Sequence, residues 1–298
     1  MAVSPPVARL RPGTSRWPEL LDQIPDPPAW LDVSGHWAVL GAPCLAIVGT
    51  RRATARGLAV ARGLALQAVL QGWTVISGLA LGIDAAAHDG ALAGGGITVG
   101  VMATGLDRTY PSRHRDLRRR MERRGCVLTE FPAGTRPLKH HFPRRNRLIA
   151  GLARAVLVVE APLRSGAMIT ARLALDYNRE VMAVPGPVDS EVSRGCHELL
   201  RQGATLVESW ADVAAGLGTA SGIDPEGSTP AMPASPAPDG AAAWILARLD
   251  LDGVPRDDLR RDWPGSEDCW QEGLLVLEIS GLIRRLPGGR LARSIWSA

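Results

Sequence analysis

From Cys44 onward, apolar residues gather in short unbroken runs, and between the runs they recur at helical spacing. Cys44-Leu45-Ala46-Ile47-Val48 has the character of a strand buried on both faces, and Gly49-Thr50-Arg51-Arg52 closes it. Ala55 to Gln71 follows with Leu58, Ala61, Ala65, Ala68 and Val69 on one helical face, behind Thr54 as N-cap. The alternation then repeats. Trp73-Thr74-Val75-Ile76, Ile97 to Met102, Cys126 to Thr129, Ala155 to Glu160, Val181 to Val184 and Ala204 to Val207 read as strands. Ile83 to Ala93, Arg113 to Arg124, the apolar run after Arg147, Ala167 to Tyr177 and Cys196 to Arg201 read as the helices between them. Strands alternating with helices at this rhythm predict a doubly wound α/β domain with a mostly parallel sheet covered on both faces.

The flanks break the pattern. Residues 1 to 15 lack periodicity and are expected to be a disordered lead. Residues 16 to 42 carry prolines at 18, 25, 27 and 28 between Trp17, Trp30 and Trp37, which predicts an extended arm pinned by tryptophans. Together 1–42 form the lead and arm, and 43–215 the α/β domain. Residues 216–240, dominated by Gly, Ala, Ser and Pro, are expected to be a flexible linker. In 241–298 the pattern is compact again: helices over Ala241 to Leu249, Val254 to Arg261 and from Ser266 to about Gly281, then a hairpin turning at Pro287-Gly288-Gly289. Three helices and a hairpin predict a small C-terminal winged-helix domain.

Composition narrows the class of partner. Among 298 residues, 34 Lys and Arg against 30 Asp and Glu give a net charge of +4, so an anion site must be a local patch. The four cysteines are widely spaced, which argues against a zinc ribbon or a disulfide framework and for reduced thiols in a cytoplasmic protein. No apolar run reaches the roughly 18 residues of a membrane span. The first residues have neither the cationic start nor the apolar core of a signal peptide.

The candidate chemistry centres on Lys139-His140-His141-Phe142-Pro143-Arg144-Arg145-Asn146-Arg147, four permanent cations beside one of only two phenylalanines. A cationic groove with an aromatic ring suits single-stranded nucleic acid, whose phosphates meet Lys and Arg while an unstacked base lies on the ring. A solvated basic loop has the same composition, and composition alone does not separate the two. In parallel sheets ligands bind at the carboxyl ends of the strands, where strand order reverses. Those ends carry Gly49-Thr50-Arg51, Ser77-Gly78, Thr104-Gly105, Ser165-Gly166 and Pro185-Gly186, with Arg51, Arg52, Lys139, Arg145, Arg147 and Arg164 as candidates to surround a phosphate. The helix opening after Thr54 offers free amides and a positive dipole end, a preformed anion site.

Other motifs point to structure. His140 and His141 are adjacent and cannot face one metal as an i, i+4 pair would, so no metal is expected and they are read as lining the basic groove. Asp84 and His88 have acid/base spacing, but the small residues around them favour a structural hydrogen bond. Ser165 lacks the glycines of a nucleophile elbow. The arginines from 118 to 124 form a charge run around a helix, a solvated face or an extension of a DNA track.

Ile47-Val48-Gly49-Thr50-Arg51, Ser77-Gly78-Leu79-Ala80-Leu81-Gly82-Ile83-Asp84-Ala85-Ala86-Ala87-His88, Phe142-Pro143-Arg144-Arg145-Asn146-Arg147 and Arg164-Ser165-Gly166-Ala167-Met168-Ile169-Thr170-Ala171 stand in an order that resembles the DprA (Smf) DNA-processing proteins. The resemblance runs from about Trp17 through Val213. It implies an extended Rossmann-like domain that binds single-stranded DNA, a homodimer, and loading of the RecA recombinase during natural transformation. It also implies that Arg51, Lys139, Phe142 and Arg145 to Arg147, including Asn146, match DNA-contacting positions. Two departures stand out: Thr50 replaces a common serine, and the helical N-terminal domain of many relatives has no room here. The C-terminal domain matches the small winged-helix domain of many relatives. Its third helix, however, carries Glu267, Asp268, Glu272 and Glu278 and no Lys or Arg, which favours an interaction module over a groove reader. The expected protein is non-enzymatic, without cofactor or membrane insertion. The competing class is a nucleotide-binding Rossmann enzyme such as a nucleoside-monophosphate phosphoribohydrolase, whose Pro-Gly-Gly-x-Gly-Thr loop is not found; Pro-Gly-Pro stands at 185 to 187.

Overall fold

The apolar run Cys44–Val48 gives no face to water, and all five of its residues are buried at the centre of a nine-stranded sheet. The computed structural model describes residues 6–218, 240–249, 253–279 and 282–293. In chain order the elements of the first unit are Val7–Leu10 (β1), Leu31–Gly35 (β2), Cys44–Val48 (β3), Ala55–Leu70 (α1), Thr74–Ser77 (β4), Ile83–Ala93 (α2) and Thr98–Val101 (β5). Arg115–Arg124 (α3), Cys126–Thr129 (β6), His141–Leu152 (α4), Ala155–Val158 (β7), Gly166–Asp176 (α5), Glu180–Ala183 (β8), Arg194–Arg201 (α6), Thr205–Leu206 (β9) and Trp210–Gly216 (α7) follow.

Strand order is β1-β2-β6-β5-β4-β3-β7-β8-β9. From β3 the chain winds outward through β4, β5 and β6, then returns to lay β7 on the other side of β3. The order therefore reverses between β3 and β7, and a crevice must open above their carboxyl ends. All pairings from β6 to β9 are parallel.

The amino-terminal arm departs from expectation. Residues 7–10 are not a disordered lead: β1 pairs antiparallel with β2, and β2 with β6, extending the sheet. Main-chain pairing supplies the order that the side-chain pattern does not announce, and Arg9 locks the register by donating to Asp32 at 2.6 and 2.8 Å. Trp17 is buried and donates to Asp22 at 2.8 Å, which anchors the chain just after β1. In α1 the buried face runs through Val60, Ala61, Leu64, Ala65 and Ala68, while Leu58 lies 38% exposed, outside the face expected to bury it.

The chain divides into two compact units, Met1–Ile223 and Asp224–Ala298. The second contains Gly240–Leu246 (α8), Val254–Pro255 (β10), Arg256–Asp262 (α9), Glu267–Ile279 (α10), Ile283–Leu286 (β11) and Arg290–Arg293 (β12). Its sheet has the order β10-β12-β11, and Ile245, Leu259, Trp270, Leu274, Leu277 and Leu291 form its own core. Val254 and Pro255 belong to a strand on β12, not to the helix expected over Val254 to Arg261, because Pro255 ends the strand and opens α9. Most of the expected linker, 216–240, lies outside the described residues. Among the described residues, no helix is long and apolar enough to cross a membrane.

Candidate nucleic-acid interface

Four segments meet above β3 and β7. The turn after β3 brings Gly49, Thr50, Arg51 and Arg52; the loop before α4 brings Lys139. α4 itself contributes Phe142, Arg145 and Asn146, and the start of α5 contributes Ser165, Gly166 and Ala167. Together they line a cleft of about 500 Å³. The first turns of α4 and α5 border it, and a helix amino terminus carries a partial positive charge. Asn146 ties them together by donating to the Gly166 carbonyl at 3.1 Å. Ser165 caps α5.

Among the described residues that line the cleft, the exposed cations are Arg51, Arg52 and Lys139. Arg51 lies over the half-buried ring of Phe142, its guanidinium carbon 4.9 Å from the centroid, and the Tyr110 ring packs against Phe142 at 5.7 Å between centroids. Cation and aromatic thus share one rim, as an unstacked nucleotide requires. Tyr110 was not read from the sequence as part of the site; one of only two tyrosines, it lies in the loop after β5 at the carboxyl edge of the sheet, and that position was the available signal.

Beneath the rim the charges are internal. Arg145 lines the cleft with a buried guanidinium that donates to the carbonyls of Gly78 and Val101, joining the ends of β4 and β5. Burial draws its pKa down to about 10, against an upward pull from Asp84. Burial pushes the Asp84 carboxyl up, opposed by Arg145 and by the amides of Gly78 and Ala80, which donate to it at 3.1 and 3.3 Å. A Cβ on Gly78 would lie 2.5 Å from the Arg145 guanidinium, so only glycine leaves that group its place. Asp84 and His88 have separate partners. Thr98 Oγ donates to the Val75 carbonyl at 2.9 Å and stands 2.7 Å from His88 Nδ1. The hydroxyl therefore accepts from Nδ1–H. Burial, with help from His114 and Arg145, lowers the pKa of His88 to about 3.

Several expected members of the site are elsewhere. Arg147 is buried, pairs with Glu130 and donates to the Asp26 carbonyl at 2.6 Å, so it fastens the amino-terminal arm to α4 instead of facing the cleft. A buried carboxylate claims it, and sequence spacing could not reveal that. Arg164 is exposed, one residue before the α5 cap, and is not among the lining residues. The imidazoles of His140 and His141 stack edge to face at 4.4 Å, and His141 lies 4.4 Å from Phe131, so these rings pack beside the groove and do not line it. The anion site expected at α1 is already filled: Glu160 accepts from Thr54 N at 2.9 Å and from Thr54 Oγ at 2.6 Å. A carboxylate at a helix amino terminus does there what a phosphate would do.

Comparison with known proteins gives a concordant result. Residues 9–226 match the family of DNA recombination-mediator protein A, and residues 229–289 match the DprA winged helix domain. A DNA processing protein DprA of Mycobacterium tuberculosis, named as putative, is 52% identical over 168 residues, 56% of this chain and 43% of the relative. The DprA structure from Streptococcus pneumoniae matches with a TM-score of 0.67 at 41% identity, covering 70% of this chain and 73% of that one. A Helicobacter pylori DprA structure described for its single-stranded DNA binding mode matches with a TM-score of 0.64 at 30% identity, covering 71% and 95%. The chain spans about half the length of several curated relatives it matches.

Proposed function

This chain belongs to the DNA recombination-mediator protein A family, and from that premise we propose that its cleft binds single-stranded DNA in DNA processing during natural transformation. One observation carries the reading: Arg51 and Lys139 line the same cleft as Phe142, so a phosphate and an exposed base can be met at once. The contacts we propose are Gly49, Thr50, Arg51, Arg52, Lys139 and Phe142 on one wall and Asn146, Ser165 and Gly166 on the other, with Tyr110 beside Phe142. Arg145 shapes the floor. A Cβ on Gly166 would have only Asn146 Nδ2 within 4 Å, at 3.9 Å, so that wall is open to a close backbone approach. The Helicobacter pylori relative, described for single-stranded DNA binding, supports this ligand over a free nucleotide.

The family and its relatives do not favour the phosphoribohydrolase alternative. Asp84, the carboxylate at the cleft, is engaged by two backbone amides and faces Arg145, which suits a structural acid better than a catalytic one. The role proposed is non-enzymatic, with delivery of the bound strand to a RecA-type recombinase by a homodimer, and it rests on the family likeness. The test is a gel shift with single- and double-stranded oligonucleotides of one sequence across salt, followed by addition of RecA. Preference for the single strand, and faster RecA filament formation on it, are the expected results. Equal binding of both forms at every salt would sink the cleft as a reader of unstacked bases.

A further inference from the structure

The cleft does not end at its rim. Arg51 and Arg52 also border a second depression of about 500 Å³, which runs past Arg62 on α1 and Arg113 before α3. Arg62 and Asp89 in turn border a third, of about 340 Å³, closed by Arg120, Arg123 and Arg124 on α3. Three depressions thus join through shared arginines into one path from the carboxyl edge of the sheet across the outer faces of α1 and α2 to α3. Rise along α1 places Arg62 about 10 Å beyond the helix start, so the path lengthens the site by more than one side chain's reach.

The chemistry along the path changes at Arg52. Asp89 is the one acidic residue lining the second and third depressions, and Arg120 already pairs with it. Arg62, Arg113 and Arg123 are exposed and, among the described residues, have no ion-pair partner. Arg124 donates to the Gly95 carbonyl, which holds it on the α2 side. The floor is aliphatic: Leu58, Leu81, Ala85 and Ala86, then Leu92 and Ala93. Aromatic side chains are absent from both linings, whereas the cleft has Phe142. Leu58, exposed contrary to its place in the helical pattern, is part of that floor.

We infer that the α1–α2–α3 face is an extension of the single-strand site that grips the sugar-phosphate chain after it leaves the cleft and does not read its bases. This rests on the proposed function of the cleft and adds a direction of exit and a length dependence to it. Unpaired arginines without a stacking platform bind a polyanion through charge, so the gain from this face should be strongly salt-dependent and indifferent to base identity.

The experiment measures fluorescence anisotropy with the full chain, using a short oligonucleotide sized to the cleft, a longer one, and the short one extended by an abasic tail. The variants are R62E/R123E and, as a reference for the cleft, R51E. Wild type should bind both extended ligands more tightly than the short one by about tenfold. R62E/R123E should bind the short ligand within about twofold of wild type and lose the gain from either extension, with the salt slope for the long strand lower by about 1.4, at about 0.7 per lost contact. An unchanged long-to-short ratio in R62E/R123E overturns the extension while leaving the cleft intact. So does an equal loss for short and long ligands, and so does a gain that requires bases in the tail. If wild type does not bind the short ligand, or R51E binds it as well as wild type does, the reading of the cleft itself fails, and the extension with it.

Discussion

Arg147 and Glu130 form an ion pair in the interior, their side chains 8% and 3% exposed, and through Arg147 the amino-terminal arm is held to α4. Glu130 keeps Arg144 at 3.1 Å as a second partner, so loss of Arg147 strands its charge only in part, at a cost of up to about 3 kcal/mol. Arg147→Met should therefore lower the stability measured by urea denaturation by that amount, while the protein that remains folded binds oligonucleotides as wild type does. Loss of affinity without loss of stability would return Arg147 to the DNA-contacting set.

Cation and ring in the cleft separate by salt. Arg51→Ala and Lys139→Ala should each weaken oligonucleotide binding and lower the salt slope by about 0.7, the share of one phosphate contact. Phe142→Ala should cost about 1–3 kcal/mol of affinity, the worth of one stacked base, and leave the slope unchanged. Titrations at several salt concentrations decide it; a slope that falls with Phe142→Ala would mean the ring acts only by holding Arg51 in position.

At Gly78 the added methyl of an alanine meets the Arg145 guanidinium, which is fixed on two strand ends. Overpacking of this order costs about 1–3 kcal/mol. Gly78→Ala should lower Tm and weaken binding together, and Gly166→Ala, with open space around it, should leave Tm within about 1 °C of wild type.

His88 supplies a pH test. Its pKa falls from the ordinary histidine value to about 3 on folding, so between about pH 6.5 and 3 the unfolded chain takes up a proton that the folded one refuses. Stability from this group is complete above about pH 6.5 and is lost as pH falls, at up to about 1.4 kcal/mol per unit. Asp84, with its pKa raised, has the opposite sign, so the comparison is made against His88→Gln, in which Asp84 is retained. Denaturation curves at pH 7, 6 and 5 should fall more steeply for wild type than for His88→Gln.

The sequence made the parallel core legible because each strand there is buried on both faces and must be apolar throughout; Cys44–Val48 and Ala155–Val158 stand out for that reason. Val7–Leu10 did not, since an edge strand alternates burial and is ordered by main-chain bonds that no side chain advertises. The cleft was legible through glycines and cations at strand ends. What the letters concealed was which charges have partners: Glu160 reaches Thr54 across 106 residues, and Glu130 reaches Arg147 across 17. Such pairings are decided by the fold, not by local spacing. Arg145, Arg147 and Arg51 look alike in sequence, yet of the three only Arg51 is exposed on the rim.

The reversal of strand order between β3 and β7 leaves six strands on one side of the crevice and three on the other. Neither margin of the sheet supplies a wall of the cleft. Fraying at either edge strand, β1 or β9, therefore leaves the residues that line the cleft on strands still paired on both sides.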